Sequence, residues 1–182
     1  MPELFIGESS RAEFSVHPSS YRGPEWSIGS TTVQSDDALS VLRLYFTEIV
    51  GRYLNRPASS GEVNDAMGSD PNHDLVPPNG LFLLARVAGR PVGCVGLRLL
   101  VPDIAEIKRM YVRPEVRGLG LGADLLAAAE DAAHALGATR TRLDTRHDLV
   151  EARRLYASHG YVEIPPYSDN PYADHWFEKR LA

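Results

Sequence analysis

The run Arg117-Gly118-Leu119-Gly120-Leu121-Gly122 sets three glycines at alternate positions between a strand-like segment, Glu106 to Val112, and the start of an alanine-rich helix. That junction suits an anion. A helix start leaves about four backbone N–H groups without intrahelical partners, and the macrodipole adds roughly half a positive charge, so phosphate needs no lysine cluster. Gly118, Gly120 and Gly122 remove the Cβ atoms that would block close approach of the backbone, and Arg117 adds a forked charged donor. Gly118-x-Gly120-x-x-Ala123 also fits a relaxed dinucleotide pattern, with Asp144 where a ribose-binding acid would stand. Against it, Arg113-Pro114-Glu115-Val116-Arg117 intervenes after the strand, and the strands before it look antiparallel rather than like the opening of a βαβ series. A purely structural glycine turn is the remaining alternative.

Other chemistries lack their residues. The six histidines form no pair at metal-ligand spacing, and there is no Gly-x-Ser-x-Gly elbow or Gly-Lys-Ser/Thr phosphate loop. Cys94, the only cysteine, sits between strand valines and reads as a buried, inert thiol, so no internal disulfide framework is available. A net charge of −5 argues against a nucleic-acid surface as the main function. With neither a signal-like start nor a run of about 18 apolar residues, the chain reads as cytoplasmic and unanchored.

The elements that would position the loop follow from periodicity. Residues 1–24 show no sustained period and read as an irregular arm; residues 25–182 read as one domain. Glu25 to Gln34 has short-strand character. Ser35-Asp36-Asp37 offers helix caps ahead of an apolar face made by Leu39, Leu42, Tyr45, Phe46, Ile49, Val50 and Tyr53, and the helix should end near Asn55-Arg56-Pro57. A short helix over Gly61 to Met67 and a long loop over Gly68 to Gly80 come next. Leu81 to Val87 and Val92 to Val101 form a hairpin, and Ile104 to Val112 a third antiparallel strand. After the glycine loop, Leu121, Leu125, Ala129, Ala132 and Leu136 give a helix face closed by Gly137. Thr139 to Asp144 is a strand. Asp148 and Glu151 suggest an acidic capping box for a helix that runs to Gly160. Tyr161 to Ile164 and His175 to Leu181 end the chain as strands, with Pro165 to Pro171 a structured loop between them and one of Trp176 and Phe177 facing the core.

Arg117-x-x-Gly120-x-Gly122, entered from Met110-Tyr111-Val112, resembles the acetyl-CoA signature of the GCN5-related N-acetyltransferase (GNAT) superfamily. Ala152-Arg153-Arg154-Leu155-Tyr156-Ala157-Ser158-His159-Gly160-Tyr161 resembles its second signature, and the element order from Asp36 to Leu181 resembles its fold. The resemblance implies an α/β (α+β) three-layer fold with a mixed, mainly antiparallel sheet flanked by helices. It further implies that the backbone of Met110, Tyr111 and Val112 pairs with the pantetheine arm, and that Arg117, Gly118, Leu119, Gly120, Leu121 and Gly122 hold the pyrophosphate. Tyr156 matches the tyrosine beside the thioester sulfur, able to protonate the departing thiolate, although its spacing also fits a core aromatic. Glu106 lies eleven residues before Arg117, as does the base in members that resemble the histone-acetylating branch. An amine with a pKa near 10 arrives protonated and must lose a proton before attack. Otherwise Glu106 is a solvated strand glutamate paired with Lys108 or Arg109.

Leu149 departs from the family pattern, which has a cofactor-contacting asparagine there. The implied activity is direct acetyl transfer from acetyl-CoA, as cosubstrate and without metal, to an amine of a small molecule or peptide. The acceptor should meet the first helix and the Gly68 to Gly80 and Pro165 to Pro171 loops. Seven acids among residues 36–80, namely Asp36, Asp37, Glu48, Glu62, Asp65, Asp70 and Asp74, slightly favour a cationic amine. Neither nucleic acid nor membrane is expected as a partner, and a homodimer is left open. The alternatives are a non-catalytic acyl-CoA-binding or sensing module and transfer of a longer acyl group or to a hydroxyl.

Overall fold

Helix α1 (Asp36–Leu54) starts where the Ser35 hydroxyl accepts the Ala38 N–H at 3.3 Å, and it stops at Asn55, whose φ of 51° is left-handed. The computed structural model that defines these elements describes residues 24–182, so nearly all of the expected N-terminal arm lies outside the described residues. Helix α2 (Ser60–Ser69) opens on a reciprocal capping box between Ser59 and Glu62. Arg56 and Ser59 together hold the Glu62 carboxyl down to about 2.

Strands β1 (Trp26–Ser30), β2 (Gly80–Val87), β3 (Arg90–Val101) and β4 (Ile104–Val112) pair antiparallel in sequence order. A 3-10 turn at Pro114–Val116 leads to α3 (Leu121–Ala135), then β5 (Arg140–Thr145), α4 (Val150–Ser158), β6 (Val162–Ile164) and β7 (His175–Arg180). The seven-stranded sheet has the order β1-β2-β3-β4-β5-β7-β6, and β4 with β5 is its parallel pair. The mixed, mainly antiparallel α/β fold expected from the sequence is the fold observed.

Alternation along the strands divides the interior into two layers. Leu83, Ala85, Val95, Leu97, Ala105, Ile107, Leu143 and Phe177 point to the α3 and α4 side, where they meet Leu121, Leu125, Ala129 and Tyr156. Phe82, Leu84, Cys94 and Tyr111 point the other way, against Val41 and Leu42 of α1 and against Leu75. Each fully buried Leu or Phe is worth about 1.5–3 kcal/mol in transfer free energy, which fixes the strand faces. Cys94 is buried, its thiol raised by desolvation and donating to the Arg109 carbonyl at 3.2 Å.

The acidic capping box of α4 does not form. The N-cap is Leu149, which makes no side-chain cap, because Arg146 takes both Asp148 oxygens at 2.8 and 2.7 Å while Arg52 captures Glu151. Two guanidinium partners outcompete one backbone N–H for these carboxylates. The pairing ties α4 to the end of α1.

Candidate active site

β4 and β5 pair only from Ile104 to Glu106 and from Arg140 to Arg142, and then part. The edge of Ile107 to Val112 that faces β5 is thereby left without a strand partner. A bulge between Lys108 and Tyr111 sharpens the divergence, with Arg109 at a φ of 57°. A left-handed conformation costs a residue that carries a Cβ about 1–2 kcal/mol, and the Arg109 side chain is clamped in compensation. Its guanidinium bonds the Asn72 side chain at 2.6 Å, the Asp70 carbonyl at 3.1 Å and the Asp70 carboxylate at 2.7 Å. It also lies 5.1 Å from the Phe46 ring and 5.8 Å from the Tyr45 ring. Met110 and Val112 turn their side chains into the α3 layer, leaving their backbone to line the opening.

At the far end of β4 lies the glycine loop. Gly118 and Gly120 have φ of 75° and 101°, a region in which a side chain would be strained, and the space where a Cβ would project from either is open. No protein acceptor among the described residues takes the backbone N–H of Gly118, Leu119, Gly120, Leu121 or Gly122; the first α3 bonds start with Ala123 and Asp124 donating to the Gly120 carbonyl. Five consecutive donors are thus left without a protein acceptor where the chain enters α3, an arrangement suited to a phosphate. A Cβ on Gly122 would stand 3.5 Å from the Leu155 side chain of α4, an ordinary contact distance. Arg117 is turned inward: Nε donates to the Val112 carbonyl at 2.8 Å, Nη2 meets Glu48 at 2.5 Å, and the guanidinium covers the Tyr111 ring at 5.6 Å. In this arrangement it braces the loop against β4 and α1.

Where the strands part, the sheet face turned toward α1 carries a row of alternating charge. Arg98, Glu106, Arg142 and Glu178 are cross-strand neighbours on β3, β4, β5 and β7. Arg98 Nε donates to Glu106 at 2.7 Å and Arg142 Nε to Glu178 at 2.8 Å; Asp74 takes the other end of Arg98. Glu106 is only 4% exposed, so it is not a solvated glutamate, and its ion pair is with Arg98 rather than Lys108 or Arg109. Its second oxygen accepts the Tyr167 hydroxyl at 3.0 Å, while the Tyr167 ring lies 5.3 Å beneath Arg142. Burial and the Glu106 charge push the Tyr167 phenol up.

One turn of pleat beyond Arg142 stands Asp144. Both of its oxygens take the Asn170 amide at 3.2 Å, and burial, with Glu106 nearby, raises its pKa. Tyr156 is 5% exposed and packs against Tyr161 and Phe177, but its hydroxyl makes no hydrogen bond among the described residues. Burial raises its pKa strongly, and Tyr45 and Asp144 add to the shift. The core-aromatic and site readings of Tyr156 therefore describe two ends of one side chain.

Glu106 and Met110 to Val112 follow the β4 edge that β5 leaves, Gly118 to Gly122 continue beyond its end, and Tyr156 stands within reach of the Asp144 charge on β5. Arg109 and Arg98 are met by Asp70 and Asp74 of the loop before β2, Glu106 and Asp144 by Tyr167 and Asn170 of the loop before β7, and Tyr45 of α1 lies beside Arg109. Sequence reasoning missed Arg98, Tyr167 and the Asp144–Asn170 pair. The Arg98–Glu106 pairing was accessible from the hairpin register; the Tyr167 and Asn170 contacts close over 61 and 26 residues and left no local signal. The acid surplus over residues 36–80 does not survive as a free field, since Asp37, Glu48, Glu62, Asp70 and Asp74 each pair with arginine. Among the described residues no cluster of three metal-ligating side chains forms, and no helix is long and apolar enough to cross a membrane.

Comparison with known proteins agrees with this fold. The sequence pattern described as the acetyltransferase (GNAT) family matches residues 46–161. An uncharacterized N-acetyltransferase of Schizosaccharomyces pombe is 40% identical over 105 residues, which are 57% of this chain and 64% of that protein. The chain thus spans just under two thirds of that relative's length. An IAA acetyltransferase of Azospirillum brasilense is 30% identical over 76% of this chain and 88% of its own. Among solved structures, a PaiA N-acetyltransferase of Thermoplasma acidophilum in complex with coenzyme A superposes with a TM-score of 0.67 at 19% identity, over 86% of this chain and 99% of its own. That likeness shows the fold.

Proposed function

Because this chain belongs to the acetyltransferase (GNAT) family, we propose that it is an acetyl-CoA-dependent N-acetyltransferase acting directly on an amine, with residues 25–182 as one catalytic domain. The observation that carries this reading is the conjunction at the β4/β5 opening of five unpaired N–H groups with a buried carboxylate and a buried, unbonded phenol.

The backbone of Gly118 to Gly122 receives the pyrophosphate, where glycine lets the oxygens come within hydrogen-bond reach. The edge of Met110, Tyr111 and Val112 pairs with the amide groups of the pantetheine arm as a missing strand would. An N–H of that edge polarises the thioester carbonyl, whose oxygen gains charge as the amine attacks. Glu106 takes the ammonium proton, directly or through the Tyr167 hydroxyl that is bonded to it. The amine lone pair then forms the C–N bond, the C–S bond breaks, Tyr156 gives its proton to the sulfur, and the surplus proton of the new amide nitrogen passes through water to restore the Tyr156 hydroxyl. Its raised pKa keeps that hydroxyl protonated until charge appears on the thiolate. Holding both reactants in one gap supplies a large part of the acceleration.

The test is thiol release from acetyl-CoA with a panel of polyamines, amino acids, aminoglycosides and peptides. At least one amine should accelerate release well above the hydrolytic background. A chain that acetyl-CoA stabilises against melting but that turns over with no amine would be a binding module. A chain that acetyl-CoA neither stabilises nor reacts with would lack even the cosubstrate site.

A further inference from the structure

The charges on the floor of the opening do not cancel evenly. Arg98 lies between Glu106 and Asp74, Arg142 meets Glu178, Arg109 is held by Asp70, and Lys108 stands 3.8 Å from the same Asp70. Asp144 alone among the acids of this floor enters no ion pair with a described residue; a neutral amide, Asn170, spans its two oxygens. A half-buried carboxylate without a cation is costly, and such a group persists where something else supplies the charge. A second polar group here is also without a partner: the Tyr156 hydroxyl, on a side chain 95% buried, whose charged and polar neighbours include Asp144 and Tyr45. Two unmatched groups, one anionic and one a hydroxyl, thus lie near one another, and Asp144 also lies within reach of the Glu106 charge.

We infer that Asp144 is the residue that recognises the acceptor, forming an ion pair with its protonated amine and presenting the nitrogen between Glu106 and Tyr156. This assignment rests on the proposed acetyl transfer and narrows its acceptor to a cationic amine, excluding alcohols and electron-poor aromatic amines that stay neutral at pH 7. The arrangement separates two tasks. Glu106 is fixed by Arg98 and Tyr167 and takes a proton, whereas Asp144, with no ion-pair partner among the described residues and only the Lys108 charge acting on it from beyond contact, provides the attraction that brings the ammonium in. The Asn170 amide holds the carboxylate in a single orientation while leaving its charge intact. Asn170 Oδ1 also accepts the Tyr172 N–H at 3.1 Å, so the same amide shapes the loop over the site.

That last contact supplies the rival role, in which Asp144 merely anchors the loop through Asn170. Asp144→Asn removes the charge and retains an acceptor for the amide; Asn170→Ala removes the anchor and retains the charge. With the best amine of the panel, Asp144→Asn should raise the amine KM at least tenfold and leave the acetyl-CoA KM within twofold, while Asn170→Ala should change the amine KM less than threefold. An unchanged amine KM in Asp144→Asn, or an equal effect from Asn170→Ala, overturns the assignment. Should Asp144→Asn fail to fold, the wild type decides: an amine should compete at least tenfold more tightly than the alcohol of the same carbon skeleton, and equal competition overturns the assignment. Wild-type protein inactive with every amine would instead remove the acetyl-transfer reading, a failure distinct from an active wild type with an indifferent Asp144→Asn.

Discussion

On one side of the β4/β5 opening the protein offers backbone, five successive N–H groups from Gly118 to Gly122; on the other it offers side chains drawn from four strands and three further segments. The first side is made by what is absent, since glycine contributes no Cβ and the helix start contributes donors that need no neighbours. The second is made by pairing, each arginine answered by an acid until Asp144 is left over. Backbone donors read an anion that many enzymes share; a side-chain floor can be re-cut one residue at a time. On the proposed function, the division would let one opening hold a common cosubstrate and a particular acceptor.

The largest effect should come from breaking the backbone side. Gly120→Asp imposes a side chain on a residue at φ 101° and sets a negative charge at the start of α3, beside the cradle. Space alone is not the obstacle, because nothing lies within 4 Å of a Cβ there. Strain and like charge should together lower acetyl-CoA affinity by about 100-fold or more, roughly 2.7 kcal/mol, in calorimetric titration. Affinity within threefold of wild type would show that the loop is only a turn.

On the side-chain half, Glu106→Gln should lower kcat about 100-fold, the lower end of what positioned acid–base groups contribute. Acetyl-CoA affinity should stay, because the cradle is separate. The melting temperature should fall, since Arg98 loses one of its two carboxylates. A lower melting temperature with full kcat would leave Glu106 as a strut for Arg98 and transfer the proton to another group.

These two positions also differ in how visible they were. The glycine loop and the strand before it occupy seventeen consecutive residues, 106–122, and the helix period of α1 and α3 is carried by local spacing, so sequence alone located them. The α4 capping box does not form because Asp148 and Glu151, though spaced for a cap, are bound better by two arginines, the neighbouring Arg146 and the distant Arg52. The floor was nearly invisible for the same reason. Tyr167 reaches Glu106, and Asp144 reaches Asn170, only after β7 has been laid beside β5, and no periodicity encodes a loop folding back across a sheet. The acid count over residues 36–80 hinted at a cationic acceptor on grounds that folding mostly removes, since five of the seven acids pair with arginine, and the acid of the floor without an ion pair is Asp144, outside that stretch.

Tyr156 lies between the two halves. Tyr156→Phe should lower kcat about tenfold with acetyl-CoA affinity unchanged, because the ring packing with Tyr161 and Phe177 survives and only the proton donor is lost. Its stability should move little, since the hydroxyl has no bond to lose. Undiminished kcat would return the residue to the core and place thiolate protonation with solvent.

The smallest effect probes what the unmatched charge does to folding. Burial raises the Asp144 pKa in the folded protein, so the folded chain holds that proton more tightly than the unfolded chain and the ionised carboxylate opposes folding. The penalty is absent below the unfolded pKa and complete above the raised folded one. Asp144→Asn should therefore raise the melting temperature by a few degrees at pH 7, with the gain shrinking as pH falls through the acid range, in the variant whose amine KM has risen. A residue that merely anchored the loop would show the reverse, a loss of stability at every pH. Scanning calorimetry of wild type and variant across pH 3 to 7 thus tests whether the side-chain half of the opening is held in readiness for a cation that the protein itself does not provide.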